Sequence, residues 1–170
     1  MAMLTKPTIP RWAAVLVFPV QILLWYVAAP AAFAELTSSF GWKNRRPGGW
    51  NLLALVLLVP GFLCLAWCVY LHFARSPRKV EVPETAPPYL LTEGPYRWSR
   101  NPMYVSGVAI WVGWAAYYGC VAVLGVALLF WSALAFLAIP FEERRLEARW
   151  GEAYRRYKRA VPRWLGAAGK

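Results

Sequence analysis

Trp12 to Ala34 reads WAAVLVFPVQILLWYVAAPAAFA, a run of 23 residues without a charged side chain. As a helix rising 1.5 Å per residue it covers roughly 30 Å, the thickness of a bilayer's hydrocarbon core. A helix buried in a water-soluble domain rarely needs that length. Outward from this stretch the pattern repeats. Trp50 to Ala74 is also free of formal charge, its titratable groups being two cysteines, a tyrosine and His72. Val105 to Pro140 is apolar again, interrupted around Tyr117, Tyr118, Gly119 and Cys120. That interruption predicts a tight hairpin of two short helices, whose first arm, Val105 to Tyr118, is shorter than the roughly 20 residues of a spanning helix.

The fold expected is therefore all-α and polytopic: two full membrane spans, a helical hairpin and a C-terminal amphipathic helix. With 170 residues, 59% hydrophobic and 16% charged, the composition departs from that of soluble domains in the same direction. Residues 1–89 form an N-terminal two-span part with a Pro-rich linker, and 90–170 hold a loop, the hairpin and the last helix, the whole being one integrated domain. The first span is too long for the apolar region of a signal peptide and no small-residue cleavage site precedes Glu35, so a retained anchor is expected.

A net charge of +11 invites a nucleic-acid reading, but the basic residues collect at membrane edges. With two spans and a hairpin, the N-terminal arm, residues 75–103 and the C-terminal tail share one side and hold sixteen of the 19 Lys and Arg; the loop between the first two spans holds Lys43, Arg45 and Arg46. Sixteen against three places the N-terminus, the 93–104 loop and the C-terminus in the cytoplasm. The excess suits anionic lipid headgroups, and no nucleic-acid partner is expected. Trp12, Trp25, Tyr26, Trp42, Trp50 and Trp164 fall near proposed span ends or loops, as interfacial aromatic belts do.

Arg75 to Pro88 carries four prolines and cannot be a long helix. It delivers the chain to the densest polar stretch, Glu93 to Tyr104, in which Gly94-Pro95 and Asn101-Pro102 mark turns. Irregular backbone at a membrane edge is tolerated where it is buried in protein or faces a wet cavity. Leu146, Trp150, Tyr154, Tyr157 and Val161 recur at helical spacing and form one apolar stripe. That helix is expected to lie on the membrane or to pack its stripe over the 93–104 loop.

Three constellations could carry chemistry. Glu142 and Glu143 sit just past an apolar helix, at the expected start of a new one, where a helix N-terminus already favours carboxylates. Yet the chain has eight acidic residues in all, and two side by side at the mouth of a membrane hairpin are expensive to place there without a use. A cationic or polyhydroxylated ligand is their natural partner. Arg97 and Arg100, with Asn101 and Tyr104, offer donors to an anionic group, against the ordinary alternative of arginines snorkelling to headgroups. Cys64, Cys68 and His72 share a helix face at i, i+4 spacing, but cysteine is at home inside a membrane helix and no fourth ligand is apparent, so no metal site is expected. Gly-x-Ser-x-Gly, phosphate-loop and dinucleotide fingerprints are absent, as is any Asp.

Gly94-Pro95-Tyr96-Arg97, Arg100-Asn101-Pro102-Met103-Tyr104, the Glu142-Glu143 pair and the aromatic, basic stretch Tyr154 to Trp164 occur in the order found in a known group. From about Leu90 to Leu165 the chain resembles the isoprenylcysteine carboxyl methyltransferase and phospholipid methyltransferase superfamily of small membrane enzymes. The resemblance implies S-adenosylmethionine as cofactor and a lipophilic or lipidated acceptor. It implies cofactor contacts from Gly94, Tyr96, Arg97, Trp98, Arg100, Asn101, Tyr104, Glu142 and Glu143, with Arg97 and Arg100 at the chemistry. Asn101 stands where the family's pattern has His; it keeps a donor and an acceptor but takes up no proton.

Methyl transfer from a sulfonium needs alignment and exclusion of water, with no metal. A carboxylate acceptor needs only a cation to orient it, whereas an amine must first lose a proton and the sequence offers no obvious base. The expectation is thus a carboxylate acceptor of the isoprenylcysteine kind, with phospholipid or small-amine N-methylation as the alternative. A nicotinamide-dependent reductase of the sterol type ranks next, its C-terminal loop being similar, and a transporter or non-catalytic scaffold last.

Overall fold

The computed structural model describes residues 8–37, 39–43, 46–76, 79–81 and 89–166. Most of the Pro-rich linker expected between Arg75 and Pro88 lies outside them. The described chain is helical apart from a ribbon of two short strands, β1 (Thr8–Pro10) and β2 (Lys79–Glu81), antiparallel with Thr8 opposite Glu81. The ribbon ties the start of the first span to the chain leaving the second, which puts both on one side of the bundle.

The first span is a rod of α1 (Arg11–Leu23), a π turn (Leu24–Ala28) and α2 (Ala29–Ala34). A 3-10 turn (Gly49–Ala54) leads into α3 (Leu55–Arg75). A second 3-10 turn (Gly94–Arg97) precedes α4 (Pro102–Tyr118), followed by α5 (Val121–Ala133), a π turn (Leu134–Ala138), α6 (Ile139–Trp150) and α7 (Glu152–Ala160). Three segments are long and apolar enough to cross a membrane: Leu16–Ala34, Gly49–Arg75 and Val121–Trp150. The 17 residues of α4 reach about 25 Å. The chain is an integral membrane protein with an all-α fold, as its hydropathy predicts.

Both π turns have the same cause. A proline has no N–H to give the carbonyl four residues earlier and its ring collides with that carbonyl, so the helix widens there. The carbonyls concerned belong to Tyr26, before Pro30, and Phe136, before Pro140, each at the centre of a π turn. Tyr26 O is not left bare in the bilayer, because Trp114 Nε1 donates to it at 2.6 Å.

This widening corrects the expectation of a new helix after Pro140. Pro140 is accommodated, α5 and α6 run on as one rod, and Glu142 and Glu143 stand inside a continuous helix where no free N–H groups await them. The arms of the hairpin are unequal for the same reason. The C-terminal helix is in turn divided, by Gly151 at φ 51°, into the end of α6 and α7. A second correction concerns Trp25 and Tyr26, which lie midway along the first rod rather than near its end: Trp25, 39% exposed, meets Trp111 and Phe130 at ring-centroid distances of 5.3 and 5.6 Å.

The core sits where α4 packs between α3 on one side and α2 and α5 on the other, around the fully buried Ile110, Trp111 and Val123. α3 and α4 approach closely because Gly61 faces Ile110 and Gly113 faces Leu58, positions at which a Cβ would collide. The outer faces are paved with exposed Leu, Val and Phe, as contact with lipid tails requires.

Candidate functional site

The loop before α4 is built by turns that only certain residues permit. Gly94 holds φ 57°, a left-handed conformation, with Trp67 and Leu71 so close that a side chain would crowd them. The 3-10 turn that follows buries Tyr96, and Pro102 occupies the first turn of α4, where its missing N–H is no loss. Between them, Ser99, Arg100 and Asn101 are pinned by the segment after α7. Arg100 N donates to Pro162 O at 2.9 Å, Asn101 Nδ2 to Arg163 O at 2.9 Å, and Ser99 Oγ to Arg163 O at 3.2 Å. The Asn101 amide is thereby committed to the backbone of a C-terminal strap.

Above this loop α7 lays down its stripe. Tyr154, Tyr157 and Val161 are buried against Leu90, Leu146 and Trp150, and Tyr157 OH donates to Tyr96 O at 2.7 Å. Burial raises the Tyr96 and Tyr157 phenols and pushes Tyr154 up to about 12, so all three keep their protons. The stripe read from the sequence thus covers the loop.

The charged centre lies beside it. Glu143, nearly fully buried, accepts from Arg100 Nη1 at 2.7 Å and from Arg163 Nη2 and Nε at 2.7 and 3.2 Å. The bond to Glu143 also holds Arg163 more firmly protonated. One residue earlier, Glu142 Oε2 accepts from Tyr104 OH at 2.9 Å. Two groups remain open: Arg100 Nε is buried without a partner, and among the described residues no bond reaches Glu142 Oε1.

Of the residues singled out in the sequence, Arg100, Asn101, Tyr104, Glu142 and Glu143 come together here, and Tyr96 adjoins them. Arg97 and Trp98 do not; both point outward, Trp98 with 60% of its surface exposed. Gly94 shapes the turn from a distance, against α3. His72 spans two phenols, Nδ1 with Tyr89 OH at 3.0 Å and Nε2 with Tyr96 OH at 2.9 Å, which engages both ring nitrogens. Arg163 is the residue the sequence reading missed. Its signal was faint: one basic side chain after Val161-Pro162, in a tail with many.

A family model for phospholipid methyltransferases matches residues 50–153, more than half of the chain. The chain belongs to the phospholipid methyltransferase family. An uncharacterised protein of Haemophilus influenzae is 41% identical over 64 residues, which are 37% of this chain and all of that protein. No solved structure matches. The family match takes in α3, the loop, α4 to α6 and the Glu pair, and stops before Tyr154, Tyr157 and Arg163. In this phospholipid methyltransferase family member the loop before α4, the start of α4 and α6 carry the site, while most of α7 and the strap that close it lie beyond the matched region. The chain is accordingly a methyltransferase of the membrane.

The open oxygen fits the cofactor such an enzyme needs. An ammonium or ribose hydroxyl suits the free oxygen of Glu142. Trp150 Nε1, in the cluster under α7, is buried without a partner, like Arg100 Nε.

Proposed function

We propose that the chain transfers a methyl group from S-adenosylmethionine to a lipophilic acceptor at the cytoplasmic face of the membrane, and that the acceptor is a carboxylate. The observation that carries this reading is the buried Arg100–Glu143 pair just before α4, next to the Tyr104–Glu142 bond. When bound, S-adenosylmethionine supplies an electrophilic methyl group on a positively charged sulfur.

The residues of the chain then have three tasks. Glu142 offers its second oxygen to a polar end of a ligand, and Arg100, tied to Glu143, sets a positive charge beside it. Tyr104, donating to Glu142, fixes which way that carboxylate faces. α7 and the strap, through Tyr154, Tyr157 and Val161, keep water from the loop, which strengthens every one of these contacts. A carboxylate acceptor is oriented by an arginine and gives up no proton.

A specific observation supports a second reading. Were the acceptor an amine of a phospholipid headgroup, as the family's description allows, Glu142 Oε1 would be the group placed to receive its proton. Transfer of radiolabelled methyl from S-adenosylmethionine to a prenylcysteine and to phosphatidylethanolamine, in proteoliposomes, separates the two. Label released as methanol by alkali means a methyl ester and a carboxylate acceptor; label stable to alkali on the phospholipid means N-methylation. Binding of NADPH in place of S-adenosylmethionine would refute both. Cytoplasmic placement is supported by the sixteen-to-three split of basic residues.

A further inference from the structure

The end of the bundle remote from Arg100 and Glu143 carries polar architecture that methyl transfer does not use. The chain between α2 and the 3-10 turn at Gly49 is fastened to the tip of the hairpin. Phe40 N donates to Gly119 O at 3.0 Å and Trp42 Nε1 to Tyr117 O at 2.8 Å. Asn51, fully buried, donates to Phe40 O and Ala116 O at 3.3 and 3.2 Å while its Oδ1 accepts from Gly48 N at 2.9 Å. Gly119, at φ 60°, lets the two segments touch, since a Cβ there would strike the Phe40 carbonyl. Tyr118 is stacked between Trp42 and Trp114, with ring centroids 5.8 and 5.4 Å away.

This framework borders a cavity of about 490 Å³ lined by Ala34, Glu35, Thr37, Ser39, Trp42 and Tyr118. Its described lining combines a carboxylate and three hydroxyls with two aromatic rings, and no Lys, Arg or His is among those described residues. Glu35 forms no ion pair among the described residues. An anion entering here meets the carboxylate and is repelled. A primary ammonium brings three N–H donors to oxygens that are acceptors, and gains from the charge of Glu35.

We propose that this cavity binds an organic ammonium group, of the primary-amine kind carried by an aminophospholipid. Lys43 follows Trp42 directly and is exposed, as is Arg46, to which it is joined by backbone bonds of 3.0 and 2.9 Å. The cavity is distinct from the methyl-transfer centre, since Tyr118 stands 14 residues beyond Tyr104, about 21 Å along α4.

Native mass spectrometry of the purified protein with phosphatidylethanolamine or phosphatidylglycerol tests this, with free ethanolamine as competitor. Phosphatidylethanolamine is expected to be retained about tenfold better than phosphatidylglycerol, and Glu35→Gln to bring the two within about twofold. Glu142→Gln, in the other centre, leaves the preference unchanged, which separates this site from any headgroup bound for methylation. Displacement by free ethanolamine would show that the ammonium alone is recognised; retention of the lipid against it would show that the whole headgroup is. Equal retention of both lipids by the unaltered protein, or an undiminished preference in a Glu35→Gln variant of unchanged melting temperature, overturns the proposal.

Discussion

Glu143 accepts from Arg100 and Arg163 at 2.7 Å each, whereas Glu142 accepts a single bond from Tyr104. The two carboxylates, inseparable in the sequence, therefore differ in what their loss should do. Arg100 and Glu143 have side chains only 10% and 7% exposed, so removing Glu143 leaves a buried guanidinium without its counter-charge. Breaking such a pair costs about 3–5 kcal/mol. Glu143→Ala is expected to lower the melting temperature in detergent by several degrees, while Glu142→Ala leaves it nearly unchanged and weakens S-adenosylmethionine binding in calorimetry. Equal melting temperatures for the two variants would contradict this division. Tyr104→Phe keeps the ring and removes one hydrogen bond to a charged group, about 1.5–3 kcal/mol. Its expected effect is a fall in methyl-transfer rate of tenfold or more with the fold intact, read as kcat at saturating substrates. The identity of these residues was legible in the sequence because their types and order are unusual in an apolar chain. Which of the two glutamates does which work was not, because it depends on Arg163, brought in from 20 positions away by α7 and the strap.

At the scale of elements, the apolar runs located the membrane helices, but Pro140 hid how the last of them continues. Read along the chain, Pro140 followed by Glu-Glu-Arg-Arg looks like a stop and a fresh start. A π turn costs one widened ring of backbone and leaves the rod intact, and no local pattern distinguishes that outcome from a break. The carbonyl it releases has to be satisfied inside the bilayer, where water does not reach. At Pro30 the partner is Trp114, on α4, 88 positions away from Tyr26. Trp114→Phe preserves most of the packing and removes this donor, with an expected destabilisation of about 1–3 kcal/mol, the penalty for a buried unpaired carbonyl. Chemical or thermal denaturation in detergent would register it. The double variant Trp114→Phe with Pro30→Ala, which restores an N–H to the helix, should recover part of the loss. Failure to recover would mean that the indole matters by packing alone.

For the whole molecule the decisive quantity is which side each connecting segment occupies. β1 and β2 bring the chain before the first span next to the chain after the second, and the 93–104 loop is closed by α7 and the strap, so these parts share one face. The Glu35 cavity and the hairpin tip share the other. The cytoplasmic placement proposed for the face of the 93–104 loop rests on the sixteen-to-three split of basic residues along the sequence, set against a membrane potential and an anionic inner leaflet. Lys43, exposed at one end, and Arg149, exposed at the other, offer a direct test. In intact cells a membrane-impermeant maleimide should label Lys43→Cys at once and Arg149→Cys only after the membrane is opened. Cys64, Cys68 and Cys120 are buried or partly buried, so the unaltered protein supplies the background. The reverse pattern of labelling would put the methyl-transfer centre outside, away from the cytoplasmic supply of S-adenosylmethionine, and would remove the physical basis for the proposed reaction even with every bond of the site in place.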